Sequence, residues 1–150
     1  MVDRDARDKM VLLIRRLVAG RITNDEFEAG LPFGSSDPAV MEVYHRGLWS
    51  FYSDLSEHRL VGSHRLSRTA RREVARFILF LKSDLNYEWP CRQLWKELLW
   101  MLAGLLTLGV AGRLYWPWIG THGEVRVWPF LRKEDFEQAV RHPCYLAGAK

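Results

Sequence analysis

The sequence predicts a mainly α-helical single domain, a bundle of five or six helices followed by a short C-terminal β-hairpin. Three observations carry that prediction. Apolar residues recur at three- and four-residue spacing through most of the chain before Gly112. Helix-start pairs stand ahead of those stretches, Thr23 with Glu26 and Asp37 with Pro38. After Gly112 the spacing gives way to Val- and Trp-rich segments on either side of Gly120-Thr121-His122-Gly123. A length of 150 residues fits one domain, with a helical part over about 1–112 and an aromatic hairpin plus last helix over about 113–150.

The first helix is expected from Asp3 to Ala19. Ala6, Met10, Leu13, Ile14 and Leu17 share one face, Asp3 and Asp5 sit at the positive end, and Arg15 and Arg16 lie toward the negative end. Gly20 supplies the stop. Thr23 and Glu26 form a capping box that opens a short helix carrying Phe27 and ending near Gly30. Leu31 to Ser36 reads as a loop. Asp37 caps a helix with Pro38 in its first turn, running to about Asp54. Met41, Tyr44, Leu48, Tyr52 and Leu55 mark its buried stripe, widened by Trp49 and Phe51. His58 to Leu66 is a basic connector. Ser67 or Thr69 opens the next helix, which reaches about Ser83 with Ala70, Val74, Phe77, Ile78 and Leu81 on one face.

Asn86 to Pro90 breaks the chain, and a further helix is expected from near Arg92 to about Leu108. Leu114-Tyr115-Trp116 and Val125-Arg126-Val127-Trp128 have strand composition and form the hairpin arms, with Pro117 and Pro129 confining them to an edge or a strand end. Lys133 to Arg141 is the last helix, stopped by Pro143.

Hydrophobic residues are 48% of the chain and charged residues 27%, so it can build a core and is not a disordered polymer. Lys and Arg number 22 against 18 acids, a net charge of +4. The distribution says more than the total. The first thirty residues balance, whereas six Arg and a single acid, Glu73, lie between Arg59 and Arg76. Phosphate-cradling loops, the H-E-x-x-H zinc motif and the G-x-S-x-G nucleophile elbow are absent. No two of His45, His58, His64, His122 and His142 stand at helical metal-pair spacing. The expectation is a non-enzymatic protein with no catalytic residues, no metal and no cofactor. Tyr44-His45 and Glu57-His58 offer acid–base groups but read as packing and surface residues, and His122 as a turn residue. Cys91 and Cys144 form no C-x-x-C pair and read as reduced thiols, and the N-terminus has no leader-like apolar run, so the expected compartment is the cytoplasm.

Two surfaces are candidates for binding. Arg65, Arg68, Arg71, Arg72 and Arg76 form a guanidinium row on and just before one helix, suited to carboxylates on a protein partner or to phosphates. Trp116, Trp118 and Trp128, with Phe130, form either a stacking platform or a cover for the apolar helix. From Leu98 to Gly112 no charge occurs, yet this run spans only about 22 Å as a helix, short of the ~30 Å hydrocarbon core of a membrane. A core helix is expected there, with a membrane-facing segment as the alternative.

The run Leu12-Leu13-Ile14-Arg15-Arg16-Leu17-Val18-Ala19-Gly20-Arg21-Ile22-Thr23-Asn24-Asp25-Glu26-Phe27 resembles the first helix and turn of colicin-D-type immunity proteins, a similarity carried by 16 of the 150 residues. That resemblance implies a small bacterial helical protein that binds and blocks a toxin nuclease. The chain departs from it in being basic where such proteins are acidic, and no inhibitory residue carries over. The whole chain is also similar to bacterial proteins ending in a Trp-Pro-Phe-Leu/Ile-Arg segment, a similarity that implies no function. The expected function is binding of a protein partner, as a bacterial immunity or accessory factor that grips an acidic surface through the Arg-rich helix. Nucleic-acid binding by the same face, or membrane association through 98–112, are the alternatives.

Overall fold

The computed structural model describes residues 1–89 and 125–143. These residues are mainly helical, with five α-helices and no strand among them. Helix α1 runs Arg4–Val18, α2 Asn24–Ala29, α3 Pro38–Glu42, α4 Arg68–Lys82 and α5 Lys133–Arg141.

Side-chain caps set most of the helix starts. Asp3 accepts from the Ala6 amide, Ser67 from the Ala70 amide and Asp37 from the Ala39 amide, with Pro38 at the first position. Thr23 and Glu26 make the full reciprocal capping box. Helix α1 ends at Gly20, whose φ of +65° is open to glycine. The Gly20 amide donates to the Leu17 carbonyl and the Arg21 amide to the Arg16 carbonyl, both at 2.9 Å. That pair of bonds satisfies carbonyls the helix would otherwise leave bare.

Helix α1 lies antiparallel to α4. At one end Arg4 and Arg7 reach across to the last turn of α4. Arg4 donates to the carbonyls of Leu81 and Ser83 at 2.9 and 2.6 Å, and Arg7 to Ser83 at 3.0 Å. Cations there offset the negative end of α4, and Lys82 returns the contact to Asp8 at 2.8 Å. Met10, Ile14 and Leu17 from α1 meet Phe77, Phe80 and Leu81 from α4 in one apolar core with Phe27 and Val40, all at most 2% exposed.

The helix begun at Asp37 departs from expectation. After Glu42 it widens into a π-turn over Val43–Leu48, tightens into a 3-10 turn over Trp49–Phe51 and stops short of Asp54. The change of period turns Val43, Tyr44, Gly47 and Leu48 inward. It also ends the expected stripe: Leu55 is 92% exposed and Trp49 45% exposed. Gly47, inside the π-turn, lies at a close approach. A Cβ on Gly47 would stand 2.7 Å from Phe77 Cε2 and 3.1 Å from Trp128 Cζ3, so bare backbone packs on both rings.

Residues 125–143 dock on α4. Phe130 is fully buried, edge-on to Phe80 at 5.1 Å. Val125–Val127, read from sequence as part of a strand, is a single 3-10 turn, held by Arg76 donating to the Arg126 carbonyl at 2.9 Å. The other hairpin arm at 114–116, the expected helix 92–108 with the apolar run 98–112, and both cysteines lie outside the described residues. No described helix is long and apolar enough to cross a membrane.

Candidate functional site

Helix α4 is amphipathic in the way its sequence suggests. Val74, Phe77, Phe80 and Leu81 are buried, while Arg68 and Arg72 are exposed. Arg65, just before the helix, is exposed as well. Glu73, the one acid between Arg59 and Arg76, is half-buried. Arg71 is half-buried, and its Nε is shielded from solvent with no hydrogen-bond acceptor among the described residues. Arg76 differs from the rest of the row. It turns back over the Phe77 ring and onto the Arg126 carbonyl, and burial lowers its pKa against the opposing pull of Glu73.

Of the aromatic candidates, Trp116 and Trp118 lie outside the described residues. Trp128 is half-buried, edge-on to Phe77 at 5.2 Å, and its indole N–H donates to the Tyr87 hydroxyl at 3.2 Å. Tyr87 in turn donates to Glu42 at 3.3 Å, and burial pushes its hydroxyl up to about 12. Trp128 thus packs on α4 and ties 125–143 to the π-turn.

The N-terminal end of α4 borders a groove of about 600 Å³. Helix α1 and the residue after it contribute Arg15, Val18 and Ala19, the connector contributes Leu60, Val61 and Arg65, and α4 contributes Arg71, Val74, Ala75 and Ile78. The connector is pinned in place by buried Asn24. Its amide N–H₂ donates to the carbonyls of Ser53 and Ser56 at 3.2 Å, and its oxygen accepts from the His58 amide at 2.7 Å. Val61 closes over Gly20, where a Cβ would run into its side chain.

Sequence reading named Arg65 and Arg71 for a helix face but missed this groove. Its other wall comes from a connector forty residues beyond α1, joined through Asn24, which reads in sequence as an ordinary first-turn polar residue. It also missed a second surface, where Phe33 at 59% and Trp49 at 45% exposure flank Tyr44, with Trp49 stacked on Tyr44 at 5.8 Å.

The acid–base candidates make packing and hydrogen-bond contacts within the fold. Tyr44 is buried among the Phe27, Phe33 and Trp49 rings, and burial raises its pKa, with Glu28 adding to the rise. Glu57 accepts from the Thr23 hydroxyl at 2.8 Å. His58 Nδ1 lies 2.8 Å from the Ser56 carbonyl, and its ring sits 4.5 Å from that of His64. Among the described residues no cluster of three or more His, Cys, Asp or Glu is placed to hold a metal ion. Comparison with protein-family models, curated proteins and solved structures gives no match for this chain.

Proposed function

We propose that the chain is a non-enzymatic protein-binding module, of the bacterial immunity or accessory kind, that grips an acidic partner surface through the Arg-rich face of α4. The observation that carries this reading is the solvent exposure of Arg65, Arg68 and Arg72 on and beside a helix whose opposite face is locked in the core. Guanidinium groups pair bidentately with carboxylates, and the helix fixes the backbone that carries Arg68 and Arg72. Arg71 borders that face. Arg76 and Trp128 support it from behind, by holding 125–143 against α4. The reading assigns the protein to the cytoplasm.

The test is capture from nuclease-treated and untreated lysate, with the wild type beside Arg68→Ala/Arg72→Ala. One protein retained near stoichiometry in both lysates, and lost with the double variant, is the expected result. The double change should weaken that complex by about 2 kcal/mol or more where the pairs are desolvated. It should leave folding stability within about 0.5 kcal/mol, since both side chains are exposed. Retained material that vanishes with nuclease, and binding that falls steeply with salt, would replace this reading with nucleic-acid recognition.

A further inference from the structure

The groove between the C-terminal end of α1, the connector and the N-terminal end of α4 combines two chemistries. Its volume of about 600 Å³ suits a small molecule. The floor is aliphatic, with Val18, Val61, Val74 and Ile78 drawn from three elements. Every charged group in its described lining is a guanidinium, and no Asp, Glu, Asn, Gln, Ser or Thr side chain belongs to that lining. Two of those guanidiniums, Arg65 and Arg71, come from the connector and from α4. Guanidinium groups pair with carboxylate or phosphate oxygens through charge-assisted hydrogen bonds.

The same inventory selects between ligands. An extended peptide brings an amide N–H at nearly every residue, and the described lining offers those groups no side-chain acceptor. An alkyl chain brings none and needs only the apolar floor. We propose that this groove binds a single-chain amphiphile, an alkyl or acyl body on the aliphatic floor with a carboxylate or phosphate head at Arg71 and Arg65. This site goes beyond the partner-binding reading. Arg68 and Arg72 are not part of the groove lining, so either proposal can fail while the other stands.

Titration calorimetry of the full chain with sodium decanoate at low salt tests the site. Decyl phosphate, decanol, decyltrimethylammonium and octanoate serve as comparison probes. Decanoate and decyl phosphate should bind saturably at one site, and the cation of equal length should not bind. Octanoate, two methylenes shorter, should bind about tenfold more weakly or worse. Arg71→Gln should weaken decanoate by about tenfold or more. Ala75→Leu, which fills the floor, should abolish binding. Thermal melts confirm that each variant is folded, and the two variants act at different parts of the groove, so one that misfolds leaves the other to decide. No saturable binding of decanoate, equal affinity for the cation or for decanol, or an unchanged constant in folded Arg71→Gln would overturn the proposal. Phosphatidylglycerol vesicles that pellet the chain while free decanoate gives no heat would assign the anion to a lipid surface and overturn it too.

Discussion

Arg7 and Asp37 show how far a single charged pair can reach into a core. Both side chains are at most 1% exposed, and their Nε–Oδ2 distance is 2.6 Å. Burial pushes the Asp37 carboxyl up, but the hydrogen bond from Arg7, the amides of Asp3 and Ala39 and the Arg7 charge outweigh it and leave the pKa lowered. Asp37 was legible as a helix cap because Asp-Pro is a local signal. Its partner was not, because Arg7 lies 30 residues away and no local signal ties the two together. Removing one member of such a pair strands the other, so Asp37→Asn should cost about 3–5 kcal/mol in urea unfolding. The pH dependence has a defined sign. A carboxyl whose pKa in the folded state lies below the ordinary 3.8 contributes fully above that value and loses its contribution as pH falls through the folded one. Wild-type stability should therefore fall between about pH 5 and the lowered pKa, and the Asp37→Asn curve should be flatter over that range. Parallel curves would remove Asp37 as the source of the acid sensitivity.

Among the elements, helix starts were legible and the interior of one helix was not. Asp3, Thr23, Asp37 and Ser67 each cap the helix that follows, because capping is settled within three residues. The π-turn over Val43–Leu48 sets Gly47 against Phe77 and Trp128, which arrive from distant chain, and no local pattern encodes that contact. Apolar spacing at the helical period placed Leu55 in the core for the same reason, on the assumption of a constant turn. Gly47 is the element-scale test. Helix propensity favours Gly→Ala by up to about 1 kcal/mol. Here the new Cβ would stand 2.7 Å from Phe77 and 3.1 Å from Trp128, both ring atoms held by packing. Overpacking of that kind costs about 1–3 kcal/mol, so Gly47→Ala should lower the urea midpoint despite its better propensity. Gly34→Ala, where a Cβ meets nothing within 4 Å, is the control and should leave the midpoint near wild type. A Gly47→Ala variant as stable as wild type would mean that the two rings yield at no cost.

At the scale of the molecule, the described residues are joined through α4. The antiparallel α1 covers one side, and 125–143 covers another through Phe130, Trp128 and Arg76. The sequence separated a helical part, to about 112, from an aromatic C-terminal part, and the basic row on α4 did not reveal that Arg76 fastens residues of the two together. The groove stayed hidden because it is made of three separated segments, each unremarkable alone. If α4 couples these parts, damage at the C-terminal contact should unfold all of them together. Phe130 is the contact to break, since it is fully buried and touches both Phe80 and Phe136. Phe130→Ala should cost about 3–5 kcal/mol through lost burial and the cavity left behind. The unfolding transition should shift as one, with the far-ultraviolet signal of the helices and the near-ultraviolet signal of the packed aromatics moving together. Separation of the two signals, with the aromatic one lost first and the helical one unmoved, would show instead that α1 to α4 hold themselves up and that 125–143 is a dispensable cover.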